Sequence, residues 1–335
     1  MGTSKTLTWI GHFQGTASFP TINRNLTAAL ERRGITVLRN RHNINGDLTR
    51  LAVCNQYPPQ PINVKHAVNA CCSIWEFTGP NAVPETFKKV FKDFDAVIVD
   101  NSFVYEQYCQ ATTTPVQIMR YLGVDPVEFS PAGTRVNWGA LFPGDDWPDR
   151  ARQIILMVGG TDLRHGWDVA LAILRRLPED VHLVAKWDVH YPEIQFNDVH
   201  ERLHILHADL RSLAPLYRSA DCFLMTARGV GFSFPVIEAL ACGLPVASTP
   251  LPPIRGYAPP GRVIFGEGGS YVPLGIHHCH DDCLPYWWEP DVDTMTEAVE
   301  QALTLPKQAP GANWLARWSW DGAAEDFERG IAQWL

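Results

Sequence analysis

Two short segments of the chain concentrate residue types that can hold an anion and a vicinal diol. The first, residues 217–249, reads YRSADCFLMTARGVGFSFPVIEALACGLPVAST. An apolar strand runs into a glycine-bearing loop, and a helix starts near Pro235 and stops at Gly243, with proline in the first turn and glycine just past the last. Gly229 and Gly231 let the backbone come close to a ligand, and the helix start offers N–H groups and a partial positive charge, which suit an anion. Glu238 falls on the first turns of that helix, where a carboxylate can accept from both hydroxyls of a ribose. The second segment, residues 155–171, reads ILMVGGTDLRHGWDVAL. A strand delivers Gly159 and Gly160, and the basic pair Arg164 and His165 precedes a helix. Lys186 ends the next strand, in LVAKWD. Taken singly, Arg164 and Lys186 read equally well as surface charges or as functional groups; gathered at strand ends beside a glycine-rich turn they point to a pocket.

Elsewhere the chemistry is sparser. The loop GHFQGTASFP follows the first strand. There Gly15 and Thr16 can offer backbone N–H groups to a phosphate and His12 can touch substrate, or the loop is a turn that simply needs glycine. Glu76, beside Trp75, either reaches substrate or caps and pairs structurally. The run HHCHDDC, residues 277–283, holds three His, two Asp and two Cys. Adjacent ligands cannot all converge on one tetrahedral ion, and no second ligand pair is evident, so a polar loop and no metal site is the expectation.

The elements that must position these residues follow from the patterning. A chain of 335 residues has room for two domains. Short apolar runs alternate with amphipathic stretches throughout, which predicts an α/β protein with parallel sheets. TLTWIG, the helix TINRNLTAALERRG closed by Gly34, ITVLRN, FDAVIVDNS and VQIMRYLGVD form one series. After the loop LFPGDDWPDRA a second runs QIILMVGG, GWDVALAILRRL, VHLVAKW, LHILHA, LAPLYRSA, CFLMTA, PVIEALAC and LPVAST. The expected division is a Rossmann-like domain over 1–135 and a second over 136–312. A Trp-bearing helix over 313–335 covers core and packs toward the first domain. Two doubly wound halves would face each other across a cleft at the carboxyl ends of their strands.

Composition narrows the class. With 46% hydrophobic and 19% charged residues the chain reads as an ordinary globular protein. The net charge of -8, with Lys and Arg scattered, excludes the basic footprint of a duplex nucleic-acid binder. No apolar stretch approaches the ~18–20 residues of a membrane span, and the first strand is too short to be a secretory signal core. Peripheral membrane contact stays open, because a folded surface can assemble a basic patch that the linear sequence does not show. Several of the eight cysteines lie in apolar runs, as reduced thiols do. A cytoplasmic protein is the expectation.

Residues 217–249 resemble the signature of retaining glycosyltransferase family 4, the group 1 glycosyltransferases of GT-B fold. That signature has a Glu, a Gly-Phe-Gly-like loop, a Pro, a second Glu eight positions after the first, and then Ala-Cys-Gly-hydrophobic-Pro. By this resemblance Glu238 is the ribose-binding second Glu. Val230 replaces the first Glu, which contacts the donor sugar or its β-phosphate side, and Ser233 stands where Gly is usual. Gly231, Phe232 and Phe234 complete the donor loop. In residues 155–171, Gly160 occupies a position where the family has Arg, Arg164 is retained from a variant pattern, and His165 replaces Lys. With Lys186 these cations would neutralise the donor pyrophosphate and stabilise the leaving nucleoside diphosphate. YLGVDPVEFSP, residues 121–131, closely matches the family's interdomain connection, and WWEPDVDTMTEAVEQAL, residues 287–303, resembles the approach to its C-terminal helices.

The resemblance implies a sugar-nucleotide donor, a hydroxyl acceptor of unknown kind (glycan, lipid-linked, protein or small molecule), retained anomeric configuration, and no cofactor or metal. The alternative is a degenerate, non-catalytic relative that binds a sugar nucleotide or glycan as a partner subunit. A third reading, a sugar-nucleotide hydrolase or epimerase, lacks acid/base carboxylates identifiable by spacing.

Overall fold

A computed structural model describes residues 5–15, 17–44, 46–160, 162–187, 200–206, 210–274 and 283–335. The chain divides into two compact units: residues 1–124, 273–286 and 316–335, and residues 125–272 and 287–315.

In the first unit six strands form a wholly parallel sheet. Across it they run Thr36–Arg39, Thr6–Gly11, Leu51–Asn55, Val68–Cys72, Ala96–Val99 and Val116–Ile118. Strand order reverses between Thr6–Gly11 and Leu51–Asn55, so the ligand-binding crevice of such a sheet lies beyond Gly11 and Asn55. The inner strands Leu51–Asn55 and Ala96–Val99 are buried along their whole length, as strands covered on both faces are, whereas the edge strands Thr36–Arg39 and Val116–Ile118 are partly exposed. Helix Ser18–Arg32 buries Ile22, Leu26, Ala29 and Leu30 and ends as a left-handed cap at Gly34, φ +83°. There Gly34 N donates to Glu31 O and Ile35 N to Leu30 O.

The Trp-bearing tail is two helices rather than one, Ala312–Trp318 and Trp320–Ile331. The break has a local cause: Ser319 Oγ accepts from Gly322 N at 3.0 Å and starts the second helix as its N-cap. That helix lies on Ser18–Arg32. Phe327 packs 5.6 Å from the Trp9 ring, and Glu328 pairs with Lys5 at 2.7 Å and Arg33 at 2.8 Å.

The second unit repeats the architecture. Its parallel sheet runs Leu203–Leu206, Val181–Trp187, Gln153–Gly159, Cys222–Met225, Val246–Ser248 and Val263–Phe265. One face packs on helices Trp167–Leu174 and Val292–Thr304 through Ile155, Met157, Leu183, Ala185, Trp187, Met295 and Val299. Helix Phe234–Ala241 follows strand Cys222–Met225 and stops at Gly243, φ +81°, with Leu244 N bonded back to Ala239 O. Here the order reverses between Gln153–Gly159 and Cys222–Met225, so the two motif-bearing loops leave neighbouring strands at the switch point.

Candidate functional site

At the carboxyl end of strand Gln153–Gly159 the imidazole of His165 lies close to Gly159 and Gly160. A Cβ on Gly159 would stand 2.9 Å from His165 Cδ2, and one on Gly160 2.9 Å from Cε1. A side chain at 160 would thus crowd the His165 ring. Gly160 N lies 3.4 Å from His165 Nε2, and Nδ1 stands 3.2 Å from Asp162 Oδ1. Asp162 also caps the short turn Leu163–His165, accepting from Arg164 N at 3.0 Å. Burial opposes ionisation of Asp162, but the hydrogen bond and charge of His165 and the charge of Arg164 outweigh it and bring its pKa down to about 2.

Arg164 joins the two motifs. Its Nη1 donates to Gly229 O at 3.2 Å, its Nη2 stands 3.5 Å from His165 Nε2, and its carbonyl accepts from Arg228 N at 2.7 Å. Thr226 Oγ1 lies 3.0 and 2.9 Å from the carbonyls of His165 and Gly166. Gly166 sits at φ +72°, and a Cβ there would be 2.1 Å from Thr226 O. The turn and the donor loop thus approach at backbone contact distance, which only glycine permits.

Val230 and Phe232 are buried, and the Phe232 ring packs 5.3 Å from Phe234 and 5.2 Å from Tyr257. Gly231 is buried between them. Ser233 has its own structural reason, since its hydroxyl caps the helix by accepting from Val236 N at 3.4 Å. This corrects the expectation of a helix start rich in free N–H groups. Pro235 has none and that of Val236 is taken, so the helix start supplies fewer donors to an anion.

Glu238, one turn into the helix, accepts from the Tyr217 hydroxyl at 2.9 Å. Glu238 is half-buried, and desolvation pushes its carboxyl up to about 8; the Tyr217 bond pulls the other way, and the nearby Glu128 charge reinforces the rise.

Lys186 is buried and donates to Trp187 O at 2.5 Å. It pairs in register with Val158, and strand alternation puts it on the sheet face opposite Trp187, Ala185 and Met157.

In the first unit, His12 and Gly15 are exposed and Gly15 has φ +99°. Arg24 Nη1 donates to the carbonyls of Phe13 and Gly15 at 2.8 and 2.7 Å. His12 O accepts from Asn23 Nδ2 at 2.7 Å, and buried Asn23 also takes Trp9 Nε1 and Asn55 Nδ2 on its Oδ1. Glu76 is half-buried beside Trp75. Thr16 and residues 277–282 lie outside the described residues, and Cys283 is buried. Among the described residues no group of three or more His, Cys, Asp or Glu could hold a metal ion.

Two buried arginines were not singled out by the sequence. Buried Arg228 lies between the motifs, paired with Asp168 at 2.7 Å and Glu289 at 2.6 Å. Buried Arg218, on helix Ala214–Ser219, donates to Ser130 O at 2.7 Å and Thr134 O at 3.3 Å and anchors that stretch. The one available signal was an arginine inside an otherwise small and apolar run.

Comparison with known proteins bears on the fold. Residues 152–273 match the family described as glycosyl transferases group 1. No curated protein matches the chain by sequence. Among solved structures, sucrose-phosphate synthase from Thermosynechococcus elongatus aligns over 98% of this chain and 98% of its own, with TM-score 0.64 and 14% identity. An E. coli trehalose-6-phosphate structure bound with UDP-2-fluoro glucose aligns over 98% and 99%, with TM-score 0.66 and 12% identity. Anabaena HepE in complex with UDP-glucose aligns over 98% and 99%, with TM-score 0.62 and 12% identity. At such identities the likeness is one of fold, the two-domain GT-B architecture.

Proposed function

We propose that the chain, whose residues 152–273 match the group 1 glycosyl transferases, moves a sugar from a nucleoside diphosphate sugar to an acceptor hydroxyl with retained configuration. The observation that carries this reading is the 3.2 Å bond from Arg164 to Gly229 O, which brings the cationic turn and the glycine loop together beside the helix bearing Glu238. The structures of similar fold with UDP-2-fluoro glucose and UDP-glucose support a sugar-nucleotide ligand.

In this reading the donor's diphosphate lies at Arg164 and the backbone of residues 229–233, and the ribose hydroxyls donate to Glu238. As the anomeric carbon–oxygen bond breaks, negative charge grows on the β-phosphate, where Arg164 is pre-positioned to meet it. The acceptor oxygen forms the new bond on the same face of the sugar, and its proton passes to the departing phosphate. Positioning and electrostatics supply the rate without a dedicated side-chain base. Lys186 would add positive field from the neighbouring strand. No divalent metal and no cofactor take part, and the reaction is placed in the cytoplasm.

Thermal shift against UDP-, GDP- and ADP-sugars, then transfer assays in EDTA with the product anomer read by NMR, test this. The expected result is a Tm rise with one donor and a product of retained configuration. An inverted product, or binding without turnover on any acceptor, would contradict it; the latter is what a non-catalytic subunit would show.

A further inference from the structure

Arg228 is buried, with 5% of its side chain exposed, and all five of its guanidinium N–H donors are engaged. Nε donates to Glu289 Oε2 at 2.9 Å, and Nη1 to Leu163 O and Asp168 Oδ1, both at 2.8 Å. Nη2 donates to Asp168 Oδ2 at 2.7 Å and Glu289 Oε1 at 2.6 Å. The main chain is held too: Arg228 N donates to Arg164 O and Arg228 O accepts from Trp288 N, both at 2.7 Å. The Trp287 ring lies 5.0 Å from Cζ.

A guanidinium with every donor filled and two carboxylates against it has nothing left for a phosphate. What it can do is set position. Its side chain fixes the carbonyl of Leu163, its backbone fixes that of Arg164, and the residue itself belongs to the loop whose Gly229 accepts from Arg164. One residue therefore determines where Arg164 stands relative to the donor loop, with Asp168 and Glu289 as its two anchors.

We infer that Arg228 is a positioning residue for the diphosphate subsite, holding Arg164 against the donor loop through its bidentate pairs with Asp168 and Glu289. The inference rests on the glycosyl-transfer reading above. It requires the planar fork: a lysine keeps the charge but cannot engage two carboxylates and a carbonyl in that geometry.

The test uses the full chain and whichever of UDP, GDP and ADP raises Tm most, with its parent nucleoside as control. Arg228→Lys, Glu289→Gln and Asp168→Asn are titrated calorimetrically, alone and in an Arg164→Ala background. The expected result is that each weakens diphosphate binding by about tenfold or more, leaves nucleoside affinity within about twofold, and adds under about threefold once Arg164 is gone, the signature of coupled residues. If Arg228→Lys fails to fold, the two carboxylate variants, whose changed groups are partly exposed, decide. Diphosphate affinity at wild-type level in folded variants, with Arg164→Ala still impaired, overturns the positioning role and leaves the site standing. Undiminished losses in the Arg164→Ala background would reduce Arg228 to a general structural residue and overturn it equally. No Tm rise with any of the three nucleotides would remove the functional reading and this inference together.

Discussion

Arg164 Nη1 donates to Gly229 O at 3.2 Å, so the side chain expected to meet the leaving phosphate already rests on the loop expected to carry the donor. That contact is local to one unit and links two loops that leave adjacent strands. Removing the guanidinium should cost transition-state stabilisation far more than folding. Arg164→Ala is expected to lower kcat by roughly 100- to 1,000-fold, the usual price of one pre-organised donor. Unfolding free energy should fall by only about 1 kcal/mol, the scale of a partly exposed polar contact. Steady-state kinetics beside a denaturant titration check both numbers, and wild-type turnover would remove Arg164 from the reaction.

Glu238 carries a pH signature. With its carboxyl raised to about 8 from the ordinary 4.5, the folded state holds a proton that the unfolded state has lost across that window, so this group makes stability fall as pH rises from about 4.5 to 8. Ribose hydroxyls donate to the ionised form. Nucleotide binding should therefore release a proton and tighten as pH climbs toward 8, by at most about tenfold per pH unit. Titrations at several pH values, compared with Glu238→Gln to cancel titration of the phosphates, test this. An equal pH slope in both proteins would count against it.

Two glycines with positive φ separate backbone strain from steric conflict. Gly15, φ +99°, has nothing within 4 Å of a built Cβ, whereas a Cβ on Gly166, φ +72°, would be 2.1 Å from Thr226 O. Gly15→Ala should cost about 1–2 kcal/mol, the left-handed penalty alone. Gly166→Ala should cost more than that and also weaken diphosphate binding, because it must part the turn from the donor loop. Equal destabilisation of the two variants would contradict the close approach.

Asp100 offers a stability test in the first unit. Buried, and accepting from Tyr121 N at 3.0 Å and Leu122 N at 3.2 Å, its carboxyl is pushed by burial from 3.8 to about 7. The folded state keeps this proton between about pH 4 and 7 while the unfolded state loses it, so stability from this group declines over that range. Asp100→Asn can still accept both N–H bonds. Relative to wild type it should gain stability as pH rises from 4 to 7, read from urea midpoints; a constant difference would contradict the shift.

Much of this was written in the local sequence. Gly34, Gly243 and Pro235 punctuate helices where such residues must, and both glycine-bearing loops could be placed at strand ends from hydrophobic runs alone. What was not legible depends on contacts between distant segments. Arg228 acquires its role from Asp168 and Glu289, some sixty residues to either side. Gly160 stands at an arginine position of the resemblance, and only the fold shows His165 beside it, 2.9 Å from where a Cβ would stand. Ser233, read as a departure at a glycine position, is the helix cap, and Ser319 splits a tail that reads as one helix. Strand alternation could have placed Lys186 on its own face of the sheet; resemblance to a motif could not.

The most direct test is calorimetric: the affinity of the preferred nucleoside diphosphate for wild type and for Glu238→Ala, with folding verified in the same samples. A ribose gripped by this carboxylate predicts a loss of about 1–3 kcal/mol, roughly 5- to 150-fold in Kd. Unchanged affinity in a folded Glu238→Ala protein would put the nucleotide somewhere else.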